Sequence, residues 1–505
     1  MLVPLAATFG ASFLLCLLQT PLARSLAYKW ELVDRPDQRR KMHPRTVAVA
    51  GGLPILFSTF AAVVLVLCLS PELRELCRPH ALQLYGLALA AVVIGAVGLA
   101  DDFGYLRGRH KLAGQALAVG IVMVCGVVVR NITVFDYTIE LGLLAYPFTL
   151  FLLLGAVNSL NLIDGMDGLL SSMGLIIVLA LCAVAILSDH WTAAFVALAL
   201  GGALLAFLFF NFPPASIFLG DSGSMLIGLV VGVLAIQSSL KGPATIALAT
   251  PTALLIIPVF DTTAAILRRK LTGRSIYHTD RGHLHHCLLR RGFKAYHVLL
   301  LVSGFCLLTV TGVLASLALK NELLAFLSAV TVVSILVVTR LFGYGELALL
   351  GQRSRSLLAS FFGRARKDGS NQSAVHLQGS LNWNELWAGV KDLCEPLNLM
   401  AVRLDVNAPA IHEDYHARWD STADDADDDV VWRAEIPLAV GKQVIGRLEV
   451  VGYQDDEPVW RKILTLGSLV QGFETTATEL MRAGRETNGT GAGAFVFKAD
   501  ELRVP

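Results

Sequence analysis

Residues 158–168 read Asn158-Ser-Leu-Asn-Leu-Ile-Asp-Gly-Met-Asp-Gly168. An apolar run from Phe148 to Val157 enters this stretch, and another, Leu169 to Leu187, leaves it. Two amides and two carboxylates (Asn158, Asn161, Asp164 and Asp167) therefore sit where a hydrophobic segment ends. At about 100° per residue, one straight helix would turn Asn158 and Asp167 to opposite faces. Four groups that serve one ligand cannot be carried that way. Gly165 and Gly168 are where the chain can leave helical geometry and bring backbone close to another group. The plainer reading is a polar loop between two buried helices. Unpaired acids at a membrane edge are expensive to keep, which favours function.

The whole chain supports a membrane setting. Of 505 residues, 55% are hydrophobic and 16% charged, and mean hydropathy is +0.62. Soluble domains carry about 25% charged residues, so most of this chain reads as solvated by lipid. The net charge of +1 is segregated along the chain and does not suggest nucleic acid. Eight cysteines include no C-x-x-C pair, and Cys16, Cys68, Cys125, Cys182 and Cys306 lie in apolar runs. Cysteine there behaves as a small hydrophobe, so neither a disulfide framework nor a zinc ribbon is predicted. The first apolar run, Leu2 to Leu18, has no basic region before it and Arg24 after it. That pattern predicts a first span with its N-terminus outside rather than a cleaved signal peptide.

A span needs about 20 apolar residues. Eleven are predicted, near 2–22, 48–70, 82–100, 112–130, 142–158, 169–187, 192–210, 224–240, 244–262, 297–318 and 322–342. Alternate loops then hold eighteen lysines and arginines against five (Arg74, Arg78, Arg130, Lys241 and Lys320). The positive-inside rule makes the richer set cytoplasmic, with the C-terminus on the same side. The predicted architecture is an all-α polytopic bundle of about eleven helices followed by a soluble α/β domain. The transmembrane domain covers 1–344, a basic linker 345–379, the α/β domain 380–482 and a disordered tail 483–505. Within the α/β domain, Asn382 to Cys394 and Glu457 to Met481 read as helices. Leu399 to Val406, Val430 to Leu438 and Gln443 to Val451 alternate like strands. His412, Glu413, Asp414 and His416 read as a polar loop ahead of a metal site. Asp424 to Asp429 lacks the ligand spacing of a calcium loop and reads as a solvated turn.

On this topology the unusual polar residues all fall at cytoplasmic span ends. Asp101-Asp102 closes the third span, with Lys111 ten residues on, and the Asn/Asp stretch closes the fifth. Phe218-Leu-Gly-Asp-Ser-Gly-Ser224 opens the eighth, and the ninth leads into Asp280-Arg-Gly-His-Leu-His-His286. The mouth of a helix bundle is a usual place for a ligand. Adjacent carboxylates on a helix cannot point at one atom, so one of Asp101 and Asp102 meets substrate while Lys111 or a metal holds the other. Asp221 and its neighbouring hydroxyls stand at a helix N-terminus, where backbone N–H groups attract anions and a carboxylate can hold Mg²⁺. A plain N-cap is the modest alternative. His283, His285 and His286 with Arg281 offer donors to phosphate oxygens. A zinc site including Cys287 lacks the distant ligands that tetrahedral geometry needs.

In combination these pieces resemble the polyprenyl-phosphate N-acetylhexosamine-1-phosphate transferases. The likeness runs in order over about residues 1–344. It takes in Asp34, Arg39-Arg40-Lys41 and Gly51-Gly52, then Asp101-Asp102, Lys111, and the Asn158–Gly168, Phe218–Ser224 and Asp280–His286 stretches. The resemblance implies transfer of a sugar 1-phosphate from a UDP-sugar to undecaprenyl phosphate, releasing UMP, at the cytoplasmic face of a bacterial inner membrane. It implies Mg²⁺, with Mn²⁺ as a substitute, and is compatible with a homodimer. By position, Asp221 and Asp167 look like metal contacts, Asp101 or Asp102 like the base or nucleophile, and Phe218 like a uracil-stacking ring. Asn158, Asn161, Asp164 and Lys111 look like substrate contacts, and Arg281, His283, His285 and His286 like phosphate or sugar contacts. Tyr105 stands where many relatives carry a third acid, which speaks against a metal role for the Asp101-Asp102 pair. The Arg-Gly-His-Leu-His-His form is similar to the branch that uses UDP-GlcNAc. The competing class is a transporter or proton pathway built on membrane-edge acids. A third reading makes residues 380–505 the working part, carried by a membrane scaffold.

Overall fold

The computed structural model describes residues 1–35, 46–134, 137–242, 245–271, 282–347, 350, 371–378, 383–408, 413–421, 431–440, 443–454, 458–468 and 470–471. The chain divides into two compact units, Met1–Tyr344 and Gly345–Pro505.

The first unit is a helix bundle. Its helices are α1 (Leu2–Lys29), α2 (Gly52–Leu69), α3 (Pro71–Cys77), α4 (Ala81–Asp102), α5 (Gly108–Val124), α6 (Ala145–Ile163) and α7 (Leu169–Leu187). They continue with α8 (Trp191–Asn211), α9 (Gly220–Ser238), α10 (Ala249–Leu254), α11 (Ile256–Leu271), α12 (Leu284–Arg290), α13 (Ala295–Ala318) and α14 (Glu322–Val338). Among the described residues, eight helices are long and apolar enough to cross a membrane: α1, α2, α4, α6, α7, α8, α9 and α13. This is the pattern of a multi-pass membrane protein. Two further predicted spans are shorter here, α5 and α14, at 17 residues each.

The ninth predicted span, 244–262, is not one helix. It holds a strand, then α10, then α11, which runs on to Leu271. Pro251 and Pro258 each sit in the first turn of a new helix, where the missing N–H is harmless. Two prolines seven residues apart thus start two helices and prevent a continuous one.

Helix α9 is the axis. Of its apolar window 83% is buried, against 72% for α7 and α8 and 22% for α1. A helix enclosed on all sides needs small residues where neighbours cross it, because lipid gives no hydrophobic drive and close packing must supply the attraction. At Gly228 a Cβ would lie 2.6 Å from the Val157 Cα of α6. At Gly98 of α4 a Cβ would fall onto the backbone of Ser222. These approaches lock α4 and α6 against the start and middle of α9.

Small sheets close both ends of the bundle. At the end bearing Asp102 and Asp221, β1 (Val33–Asp34) pairs antiparallel with β2 (Val47–Val49), and β2 pairs parallel with β5 (Ile217–Phe218). The opposite end carries β3 (Asn131–Val134), β4 (Tyr137–Glu140), β6 (Leu240–Gly242) and β7 (Thr245–Ala247), in the order β4-β3-β7-β6.

The second unit is an antiparallel sheet of order β11-β12-β9-β10-β8 with helices against it. Its strands are β8 (Asn371–Gln378), β9 (Leu399–Ala408), β10 (Glu413–Asp420), β11 (Val431–Val440) and β12 (Gln443–Tyr453). Trp383, Trp387 and Val390 of the helix Trp383–Asp392 join Val402, Leu404, Val406, Leu448 and Val450 in one core. Leu466 and Val470, from the helical residues 459–468 and 470–471, complete it. Two sequence readings change here. Strand β8 lies in the stretch read as linker, because it completes the sheet edge beside β10. Glu413, Asp414 and His416 belong to a strand, not a polar loop, and the His416 Nδ1 lies 2.6 Å from Asp405 Oδ1 on β9. His412, the acidic run Asp424–Asp429 and the tail 483–505 lie outside the described residues.

Candidate active site

The Asn/Asp stretch breaks where its glycines stand. Helix α6 ends at Ile163, Asp164 closes it, and Gly168 turns the chain at φ +71° into α7. That left-handed step is open to glycine at no steric penalty. Gly165 serves a different end: a Cβ there would strike the His285 ring, so the close approach is to a side chain of this protein.

The break aims the polar groups at the start of α9. Asn161 Nδ2 donates to Asp221 Oδ1 at 2.6 Å and to Ser224 Oγ at 2.8 Å. One turn earlier, Asn158 Nδ2 donates to Gln115 Oε1 of α5 at 2.9 Å, and Gln115 in turn reaches the Met225 sulfur at 3.0 Å. Asp167 Oδ2 accepts the Ala215 N–H at 2.9 Å. Asn211 ties the same corner: its Oδ1 accepts from Gly168 N and Ser171 Oγ, while its Nδ2 donates to the Ile217 carbonyl. Phe218 is held by backbone, its carbonyl accepting from Gly51 N at 2.9 Å.

The adjacent carboxylates of α4 separate into two tasks. Asp102 Oδ1 accepts the Asp221 N–H at 2.7 Å and its Oδ2 the Ser222 N–H at 3.2 Å. The first N–H groups of α9, read above as attracting an anion, are thus occupied by a carboxylate of the protein itself. Charge and dipole agree in this cap. Asp101 instead accepts from Lys111: the Lys111 Nζ lies 2.9 Å from Asp101 Oδ2 and 3.0 Å from Asp221 Oδ1. One ammonium bridges carboxylates from α4 and α9, drawn from positions 120 residues apart.

The electrostatics follow from burial and from like charges held close together. Burial and then the neighbouring carboxylates of Asp221, Asp102 and Asp167 hold the Asp164 carboxyl well above the usual range. Like charges that share a small volume raise one another's pKa in this way.

The histidine segment reaches this cluster through Gly165. His285 is 1% exposed, and among the described residues neither ring nitrogen has a hydrogen-bond partner. Burial, then the charges of His286, His283 and Arg290, keep its imidazole well below the ordinary histidine pKa. Its ring lies parallel to that of His283, with centroids 6.1 Å apart, and 4.2 Å from that of His286 on α12. The His283 Nδ1 lies 2.7 Å from Asp261 Oδ2 on α11. The Arg268 guanidinium donates to the Gly282 carbonyl at 2.9 Å and fills the space a side chain at 282 would need. Arg281 lies outside the described residues.

Asp101, Asp102, Lys111, Asn161 and Asp221 therefore meet directly. Asp164, Asp167 and the histidines flank them, and Asn158 supports them from a turn away. Gln115, Asn211 and Asp261 carry no motif in the sequence. Their signal is burial, since each is a polar residue inside or at the end of an apolar run, and such residues are rarely idle.

The sequence profile of glycosyl transferase family 4 matches residues 84–239, which run from the first turn of α4 through α9 and include every carboxylate of the central cluster. The chain is 32% identical over 296 residues to the "Probable undecaprenyl-phosphate N-acetylglucosaminyl 1-phosphate transferase" of Bacillus subtilis (strain 168). That alignment covers 58% of this chain and 79% of the Bacillus protein. The chain belongs to glycosyl transferase family 4. This family 4 chain is also 33% identical over 350 residues to the "Decaprenyl-phosphate N-acetylglucosaminephosphotransferase" of Mycolicibacterium smegmatis, covering 63% of the chain and 84% of the relative. It is 30% identical over 302 residues to the "Undecaprenyl-phosphate alpha-N-acetylglucosaminyl 1-phosphate transferase" of Escherichia coli (strain K12), covering 58% and 79%. The family 4 profile ends before the histidine segment, so the contact between Gly165 and His285 comes from the structure alone.

Proposed function

We propose that this family 4 chain transfers N-acetylglucosamine 1-phosphate from UDP-GlcNAc to a polyprenyl phosphate, releasing UMP and starting a cell-envelope glycan. The observation that carries the reading is the Lys111 bridge between Asp101 and Asp221. It joins motifs from three parts of the chain at one end of the bundle, in a family whose named relatives act on prenyl phosphates. A transporter would spread its acids through the membrane depth. Here the carboxylates around Lys111 gather at one end.

In the reaction an oxygen of the lipid phosphate attacks the phosphorus attached to the sugar, and the bond to the bridging oxygen breaks. UMP leaves, and the sugar and both phosphates of the new bridge stay with the lipid. Asp101 is the carboxylate placed to take a proton from the acceptor phosphate. Asp102 is spent on two backbone N–H groups and serves as a positioner of Asp221. Lys111, Asn161 and the histidines orient the anionic groups, and Phe218 faces the nucleobase. Most of the barrier lowering in such a step comes from fixed positive charge near the transferring group.

The donor set suits Mg²⁺. Asp221 and Asp167 offer carboxylate oxygens, and Asp102 and Asp164 add further negative charge beside them. Among the described residues, no three His, Cys, Asp or Glu side chains form a ready cage. Mg²⁺ is commonly held by one or two carboxylates with substrate phosphates completing its shell. Asp221 and Asp167 would hold it, and when bound it would neutralise the diphosphate.

The orientation that fits is eleven crossings, with α5, α14 and the α10–α11 pair as the shorter ones. The N-terminus is then outside, and the site and the C-terminal unit face the cytoplasm of a bacterial inner membrane. The test is purified chain in detergent with undecaprenyl phosphate, Mg²⁺ and a panel of radiolabelled UDP-sugars. Lipid-linked label with UMP release from UDP-GlcNAc supports the proposal. Release of UDP, or no lipid product from any UDP-sugar, overturns it.

A further inference from the structure

Asp261 is a carboxylate in the middle of α11, 1% exposed, in a bundle where an acid is expensive to bury. Both its oxygens are engaged by consecutive residues of one segment. Oδ2 lies 2.7 Å from His283 Nδ1, and Oδ1 accepts the Leu284 N–H at 2.7 Å. An ionised carboxylate only accepts, so the ring nitrogen facing it carries the proton. Two bonds to adjacent residues fix the backbone entering α12, and the rotamer and tautomer of the His283 ring together. The nitrogen left for a ligand is then Nε2, which has no partner among the described residues. The parallel ring of His285 lies against Gly165, beside Asp164 in the carboxylate cluster.

We propose that Asp261 is a positioning residue that sets His283, through its Nδ1–H, to present Nε2 to a phosphate oxygen of the substrate. This rests on the transferase reading given above. A carboxylate behind an imidazole commonly settles which nitrogen works and in which direction it points. A cap needed only for folding would require the Leu284 bond and nothing from the ring.

The experiment uses the full-length chain in detergent and has two arms. In the kinetic arm, Asp261→Asn, His283→Ala and the double variant are assayed with UDP-GlcNAc and undecaprenyl phosphate. We expect kcat/KM to fall at least tenfold in each single variant, with the double variant no worse than His283→Ala. Losses that multiply in the double variant would overturn the proposal. In the second arm, ring-¹⁵N-labelled histidine is read by NMR in the unaltered chain, with His283 assigned by its disappearance in His283→Ala. Protonated Nδ1 is expected, moving to Nε2 in Asp261→Asn. A His283 protonated at Nε2 in the unaltered chain refutes the pairing even if no variant folds. Should the unaltered chain make no lipid product, the transferase reading fails, and the ¹⁵N arm alone decides the Asp261–His283 pairing.

Discussion

Asp102 Oδ1 accepts the backbone N–H of Asp221 at 2.7 Å, so the carboxylate that ends α4 caps the helix that carries the central aspartate of the site. Its neighbour Asp101 turns to Lys111 instead. Two adjacent acids of the same type thus do different work, and their variants should separate. Asp102→Asn is expected to lower stability by about 1 kcal/mol, the usual scale of a helix cap, with a partial loss of turnover as Asp221 drifts. Asp101→Asn should abolish turnover at nearly unchanged stability. Thermal unfolding in detergent beside the transferase assay checks both, and equal effects on both readouts would refute the division.

Gly98 lets α4 lie on the backbone of Ser222, and backbone cannot move aside as a flexible side chain can. Gly98→Ala should therefore cost about 1–3 kcal/mol, as overpacking does. It should also lower turnover by shifting Asp102 away from α9. A variant with native melting temperature and full activity would show that the two helices have slack.

Burial, and then the neighbouring carboxylates, hold the Asp164 carboxyl well above its usual range. A folded pKa above the unfolded value of about 3.9 means that folding favours the proton. The associated stability is present below the unfolded pKa and lost as pH rises through the folded one. Asp164→Asn should accordingly raise the melting temperature at pH 8, with a gain that shrinks as pH falls. Added Mg²⁺ should stabilise the unaltered chain more than the variant. A variant less stable than its parent at pH 8 would contradict a raised Asp164 pKa.

His285 presents the opposite sign. Its buried ring is held below the ordinary histidine pKa, so its contribution is full above the unfolded value of about 6.5 and declines as pH drops below it. His285→Leu should flatten the acid limb of the stability profile. Gly165→Ala should separate the histidine segment from the Asn/Asp turn and reduce turnover more than stability. Melting curves from pH 5 to 8 test the first expectation, and assays at pH 8 the second.

Every described residue of the site lies in Met1–Tyr344, a unit with its own core. A chain ending at Lys367 is expected to retain transferase activity in membranes. Complete loss with an intact melting transition would make the C-terminal unit part of the machinery.

Hydropathy and spacing alone placed the membrane bundle, the glycine break after Asp164 and the motif residues, because each depends on neighbours within a few positions along the chain. Composition likewise marked out the C-terminal α/β unit, although not strand β8, whose pairing partner lies some forty residues away. The division of labour between Asp101 and Asp102, the His285 ring against Gly165, and the bond from Asp261 to His283 were decided by the tertiary structure. Each joins groups on different helices, and local periodicity carries no record of which helix faces which. The split of the ninth span at Pro251 and Pro258 falls between these cases. The prolines were visible in the sequence, yet only the packed chain showed that they start two helices and carry Asp261 to the histidines.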